Sequence, residues 1–547
     1  MADASGHGGA VKSPWQRLGE TLRLERSDVW TIVSFATAVG ILSIVTPAAI
    51  EALVNTVAFG VQLWPVIVLA AVMFGFLALS ATLKALQIYV VERLQQRFFV
   101  RTADAFADHL ARAGIEAFDG RNPTDIVNRF FEVSSVQKAF ASLLVEGVGV
   151  LLTTAVGLVV LAFYHPYLLT FAVVTAALVC FLLFVLGLGG VRSSVAESYA
   201  KFDVAAWLEE LAKCPHTFRF GLGGELARRR ADELADAYLT ARRGHFRVVW
   251  RQTLFAFLLE AVAMTVLLGL GGWLVINRQL TLGQLVAGEL IVALVLSALA
   301  KSGKHIETYY DLMASLDKLG VIDGLPLEPA GGERLEPLPG PMRVSVELPA
   351  AGSPAAPPRR LDVAAGERVA VSGASGTGKT VLLETLGLLR VPEEGLLEFD
   401  SLDARSLDRA AARLQLAYVG QAETFAGTVA ENLRVGRDDL TAADVRRALE
   451  MVGLAETVAR LPHGIATVLA PDGFPLSGND RSRLSIARAI AGRPRLLLVD
   501  GMLDRLDLRS CPEIVDSLFD RRAPWTLVIV TARDDIAARC DRTVEWT

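Results

Sequence analysis

Cysteine is scarce in this chain. Four occur in 547 residues, Cys180, Cys214, Cys511 and Cys540, and no two have paired spacing. That excludes a zinc site and a disulfide framework read from sequence, and leaves structural thiols. Strong charge of either sign is missing too. The formal net charge is −5, small for this length, and offers no argument for nucleic acid as a partner. The residues through Lys12 are small, polar and glycine-rich. They lack a short apolar core ending in a small-residue cleavage site, so no signal peptide is expected. Histidine is rare, and the last one is His463.

Apolar residues are abundant, at 52%, too many for a soluble chain of this size. The length exceeds one domain. The apolar excess lies before about residue 310, and the remainder has ordinary globular composition. Val29 to Ile50 and Val61 to Leu83 are each uncharged and long enough to span a bilayer. Gly147 to Val191 is double that length, broken at Tyr164-His165-Pro166. Thr253 to Ile276 and Thr281 to Leu299 are separated by Asn277-Arg278-Gln279. Six spans are expected, at about 29–50, 61–83, 143–163, 167–190, 253–276 and 281–300. The short loops near 60, 165 and 278 hold one arginine between them, whereas 84–146 and 192–251 are rich in lysine and arginine. The long segments, both termini and the C-terminal half are therefore expected in the cytoplasm. Trp15, Leu18 and Leu22 share a helical face, the pattern of a short interfacial helix or of a plain solvated lead-in.

Glu51, Glu146, Glu260 and Glu289 sit in or beside the spans. A carboxylate in hydrocarbon is costly and normally faces a cavity or a partner. Glu51 and Glu146 read as interfacial. Glu260 and Glu289, with apolar neighbours on each side, read either as groups wetting a cavity or as substrate or proton ligands. A Pro/Gly-rich linker follows at 324–342.

From Arg343 onward apolar strand-like runs alternate with helix-like runs, the pattern of an α/β domain with a largely parallel sheet. Arg368 to Ser372 reads as a strand. After it come Gly373, Ala374, Ser375, Gly376, Thr377, Gly378, Lys379 and Thr380, and a helix-like run to Leu389. This is a phosphate loop in the context it needs. Its backbone N–H groups can close on phosphate, Lys379 can reach the β/γ-phosphates, and the Thr380 hydroxyl can ligate Mg²⁺.

Further motifs make the second half specific. Tyr418-Val-Gly-Gln421 with Phe425 to Leu433, Leu461 to Thr467, Leu476-Ser-Gly-Asn-Asp480, Leu496-Leu-Leu-Val-Asp500 and Asp504-Arg-Leu-Asp507 follow in order. The whole resembles an exporter-type ATP-binding cassette (ABC) half-transporter. The fold class implied is multi-domain, an all-α six-helix transmembrane domain at 29–323 after a lead-in at 1–28, then an α/β P-loop NTPase domain at 343–547. The resemblance implies ATP and Mg²⁺ as cofactors, with Thr380, Gln421 and Asp500 around the metal. It implies that Ser477, Gly478, Asn479 and Asp480 cap the γ-phosphate of ATP on an opposing cassette, where a helix starting just after Asn479 adds its positive end. Short helices near Phe118-Asp-Gly120 and Phe218-Arg-Phe-Gly221 would relay motion. One membrane domain and one cassette make half a machine, so a dimer is implied.

The chain also departs from the pattern. The glutamate expected after Asp500 is Gly501, and no glutamate follows until Glu513. The switch histidine position is Ala532. Leu348 stands where an aromatic would stack on adenine, Asn479 and Asp480 where Gly and Gln are usual, and Pro471 at an acidic position. Two functions follow as expectations. The first is a subunit of an ABC exporter in a bacterial inner membrane, hydrolysis-impaired at its own site and paired with a second, competent half-transporter. The second is a nucleotide-binding membrane regulator or scaffold, possibly homodimeric. The substrate is not legible.

Overall fold

The computed structural model describes residues 12–59, 63–120, 122–349, 358–392, 394–507 and 512–546, apart from the side chains of 57–59 and 298–302. The first eleven residues of the lead-in, the loop near residue 60 with the expected start of the second span, Cys511 and the last residue lie outside them. The chain forms two compact units. One comprises Met1–Ala113 and Gly120–Pro326, the other Gly114–Asp119 and Leu327–Thr547.

The first unit is helical. It comprises α1 (Pro14–Leu24), α2 (Arg26–Leu42), α3 (Val45–Phe59), α4 (Leu63–Arg112), α5 (Pro123–Asn128), α6 (Glu132–Ser142), α7 (Val148–Tyr164), α8 (Pro166–Cys180), α9 (Gly190–Lys213), α10 (Gly223–Ile276) and α11 (Leu282–Leu319). Two π-helical turns, Leu143–Gly147 and Phe181–Val185, join α6 to α7 and follow α8. Among the described residues, five helical stretches are long and apolar enough to cross a membrane: Arg26–Thr56, Leu63–Arg112, Pro123–Tyr164, Pro166–Lys213 and Gly223–Ile276. The sixth expected span falls on a shorter apolar run, Leu282–Ser297. The first is not one straight helix, because the ladder breaks at Ser43-Ile44.

Local chemistry sets the ends of these helices. Ser13 caps α1 through a capping box with Gln16, and Thr281 caps α11 the same way with Gln284. His165 caps α8, with Pro166 at its first position. Arg17 is buried and donates to the carbonyls of Leu316, Asp317 and Gly320. A cation thus meets the negative end of α11 and ties α1 to it. A Cβ at Gly320 would overlap the guanidinium, so this tie requires glycine there.

The second unit holds the α/β domain. Its strands are β1 (Val344–Leu348), β2 (Arg359–Val363), β3 (Arg368–Ser372), β4 (Leu396–Phe399), β5 (Leu402–Asp403), β6 (Leu416–Val419), β7 (Gly427–Thr428), β8 (Val468–Leu469), β9 (Leu496–Asp500), β10 (Thr526–Val530) and β11 (Arg542–Glu545). Its helices are α12 (Lys379–Leu386), α13 (Arg409–Arg413), α14 (Val429–Arg434), α15 (Ala442–Met451), α16 (Ala455–Ala459), α17 (Gly478–Ala491), α18 (Pro512–Phe519) and α19 (Asp534–Ala537). A parallel sheet runs β11-β3-β10-β9-β6. Its central strands are buried on both faces, as strands covered by helices must be. The sequence reading missed a separate antiparallel sheet, β2-β1-β4-β5. Leu382, Leu383 and Leu386 are fully buried and seat α12 on the parallel sheet. The helix stops at Gly387, short of the expected Leu389. The C-terminal ends of β3, β9 and β10 therefore face one region, where ligands of open α/β sheets bind.

Candidate functional site

The phosphate loop leaves β3 and opens α12. Gly373, Gly376 and Gly378 have φ of +141°, +86° and +87°, conformations that L side chains rarely adopt. A Cβ at Gly373 would meet the Trp546 carbonyl at 2.4 Å. Among the described residues, no acceptor takes the backbone N–H groups of Gly376, Gly378, Lys379 or Thr380. They point outward as a cradle at a helix N-terminus, the geometry that suits phosphate. Lys379 folds over the loop, its Nζ donating to Gly373 O at 2.8 Å and Ala374 O at 2.6 Å. Ala374 and Ser375 are exposed at the tip, and the Thr377 hydroxyl donates to Ala374 O. The loop thus fits a triphosphate.

Asp500 ends β9, and Gln421 lies exposed just beyond β6, the strand paired with β9. No cluster of three acidic, histidine or cysteine side chains could hold a metal alone among the described residues. Thr380 and Asp500 offer a hydroxyl and a carboxylate, the sparse protein share that Mg²⁺ takes when phosphates complete its shell. The Tyr418 hydroxyl donates to Asp500 Oδ2 at 3.4 Å. Burial, and then the Asp500 charge, push this phenol's pKa upward, so it stays a donor.

Gly501 takes φ +60° and donates its N–H to Val530 O. A Cβ there would meet nothing within 4 Å. Room for a carboxylate side chain therefore exists, and the obstacle is the left-handed backbone, worth about 1–2 kcal/mol for an L residue. Asp504 does not stand in for the missing base. Its two oxygens accept from the Thr531 hydroxyl and from the Ala532 N–H, so it braces the end of β10. Ala532 itself carries no group that could hold a proton.

The signature segment differs from expectation in one respect. The helix α17 begins at Gly478, one residue before Asn479, because Ser477 is its cap. The Ser477 hydroxyl accepts from Asp480 N at 3.2 Å and donates to Asp480 Oδ2 at 2.6 Å. This closed capping box holds the hydroxyl inside the chain. It also sets a carboxylate at the helix N-terminus, where it stabilises the helix and repels a phosphate. Asn479 Oδ1 is buried without a partner.

Sequence reasoning missed two residues beside the loop. Leu348 pairs across the antiparallel sheet with Arg359. Arg359 donates to Thr377 O at 2.8 Å, and its guanidinium lies over the Trp546 ring, 5.6 Å from its centre. The local signal was a pair of arginines opening a short strand. Within the helical unit, Tyr164 donates to Glu51 at 2.7 Å, and Glu146 lies 3.9 Å from His305. Glu289 is exposed and Glu260 half-buried, and neither has a hydrogen bond or ion pair with a described residue.

Two family profiles match the chain. One described as "ABC transporter transmembrane region" covers residues 29–299, and one described as "ABC transporter" covers 358–503. The cyclolysin secretion/processing ATP-binding protein of Bordetella pertussis is 26% identical, over 92% of this chain and 71% of its own length. The mycobactin import ATP-binding/permease protein IrtB of Mycolicibacterium thermoresistibile is 30% identical, over 65% and 63%. A bacterial Atm1-family ABC exporter with ATP bound has the same fold, with TM-score 0.80, 20% identity and coverage of 96% and 94%. With a helical membrane region and an ATP-binding domain in one polypeptide, the chain is an integral membrane protein that belongs to the ABC transporters, homologous to exporter half-transporters.

Proposed function

We propose that this half-transporter binds MgATP without hydrolysing it at a useful rate, and works in a heterodimer whose other chain supplies a competent site. The observation that carries this reading is Gly501, a glycine in the left-handed region where an activating carboxylate is needed. General-base assistance is worth about 10²–10⁴ in rate. The intact cradle, Lys379, Thr380 and Asp500 support retained binding. Bound nucleotide would supply the energy that closes two cassettes on each other. This chain's Ser477 and Gly478 would then face the partner's nucleotide, and its phosphate loop the partner's signature. The membrane would be a bacterial inner membrane with the ATP-binding domain on the cytoplasmic side. The substrate remains open, and the relatives' cargoes are theirs.

Coupling of closure to the helices would use Gly114–Asp119, which belongs to the same compact unit as the cassette. Its 3₁₀ turn, Ile115–Phe118, is followed by Asp119. Arg390 donates to both Asp119 oxygens, at 2.7 and 2.9 Å, and to Glu384. That hydrogen bonding, and then the guanidinium charge, hold the Asp119 carboxyl below its ordinary pKa despite some desolvation. A second 3₁₀ turn, Thr217–Arg219, would meet the partner.

A regulator or scaffold that no longer pumps draws on one observation, the Ser477 hydroxyl already satisfied by Asp480. Affinity purification of the tagged chain from its native host separates the two readings. The heterodimer reading expects a second half-transporter in equal amount, carrying a glutamate at the position of Gly501. Recovery of this chain only as a homodimer would overturn it.

A further inference from the structure

A large cavity lies in the helical unit, far along the sequence from the phosphate loop. Its volume is about 1090 Å³, at the upper edge of the roughly 300–1,000 Å³ that drug-sized ligands occupy. It is built where α7 begins, where α8 ends and where α11 leaves its apolar run. Since α7 and α8 are consecutive and antiparallel, those ends lie on one side of the bilayer. The amphipathic helix α1 contributes Trp15 to the wall. The cavity therefore spans the boundary between hydrocarbon and headgroups.

Both π-helical turns found among the described residues frame it, Leu143–Gly147 and Phe181–Val185. Such turns interrupt the α-helical ladder at a cost and cluster at functional positions. Nothing in the phosphate site accounts for either one.

The lining is graded. Leu151 and Phe184 give it apolar walls. Polar groups collect toward the end lined by α9 and by the part of α11 beyond its apolar run. Tyr309 Oη is buried there with no hydrogen-bond partner, and its ring packs 5.8 Å from that of Trp15. Burial, and then Tyr310, push the Tyr309 phenol up to about 12, so it remains a neutral donor near pH 7. Arg192 also lines the cavity. It is exposed and forms no ion pair or hydrogen bond with a described residue. Asp317, the acid in the lining, is already engaged by the Tyr199 hydroxyl. An unspent cation and a stranded donor at the polar end of an apolar chamber match an amphiphile with an anionic head.

The geometry points to a binding site for one phospholipid, its phosphate at Arg192 and Tyr309 and its acyl chains along Leu151 and Phe184. A leaflet lipid reaches this place without leaving the membrane. The inference does not depend on whether the chain hydrolyses ATP.

The full-length chain, purified in mild detergent, tests it by native mass spectrometry. The native chain is expected to retain one phospholipid per polypeptide. Leu151→Trp, which fills the chamber, and Arg192→Glu, which reverses the charge without touching the core, should each lower retention by about tenfold or more. A photoreactive phenylalanine analogue at position 151 should label phospholipid. Equal retention by all three chains would overturn the proposal. So would photo-adducts confined to a second polypeptide, which would make the chamber a subunit interface.

Discussion

A chain carrying Gly501→Glu, Ala532→His and Asp480→Gln together should hydrolyse MgATP about 10²–10⁴-fold faster than the native chain. The reasoning starts from what each position lacks. A Cβ at Gly501 enters open space, so a glutamate side chain can extend toward attacking water once the backbone leaves φ +60°. That adjustment costs about 1–2 kcal/mol, which lowers stability without closing the site. A histidine at 532 restores a proton-holding group at the end of β10. Asp480→Gln removes the carboxylate that now receives the Ser477 hydroxyl, freeing that hydroxyl for a phosphate across a dimer. The pair Gly501→Glu and Ala532→His without Asp480→Gln should gain less. Steady-state phosphate release by the reconstituted chains reads all of these. Unchanged turnover in the triple variant would mean that Gly501 is not what limits the native chain.

Lys379→Ala should weaken ATP binding by about 10–150-fold, the effect of losing one charged hydrogen-bonding partner worth about 1.5–3 kcal/mol. Lys379 is half-buried and bonds only to the carbonyls of Gly373 and Ala374. Its loss leaves the buried leucines of α12 in place, so thermal unfolding should change little. Equilibrium titration with a fluorescent ATP analogue measures the affinity, and the melting curve of the same sample controls for folding. Wild-type affinity in Lys379→Ala would remove the phosphate loop from the account. Chelating Mg²⁺ should weaken binding to the native chain too, since Thr380 and Asp500 are the residues proposed to hold the metal beside the phosphates.

What could be seen in the sequence was what neighbouring residues decide among themselves. The strand Arg368–Ser372 and the loop after it form one local pattern, an apolar run followed by glycines and lysine, and the structure puts them where that pattern says. The absence of a carboxylate at Gly501 is likewise a fact of order along the chain. The capping box of Ser477 was half-visible. The Ser-x-x-Asp spacing suits a helix start, but that Asp480 also takes up the serine hydroxyl depends on side-chain geometry that order along the chain does not give.

Other features depend on residues far apart in sequence. Arg359 reaches the loop only because β2 pairs with β1 and because Trp546, at the far end of the chain, packs behind Gly373. Asp504 is committed only through Thr531 and Ala532, more than twenty residues on, which occupy both its oxygens. The antiparallel sheet was missed because its strands are short and half-exposed, with alternation too brief to separate from loop. The two π turns, Leu143–Gly147 and Phe181–Val185, carry no sequence signature that separates them from the α-helix around them.

The chain's own site rests on a division between holding ATP and splitting it. Steady-state MgATP turnover by the purified chain without any partner, set beside the Lys379→Ala chain in the same preparation, measures that division directly. The account predicts saturable nucleotide binding by the native chain with phosphate release no faster than that of Lys379→Ala. Brisk, Mg²⁺-dependent release that vanishes in Lys379→Ala would contradict it.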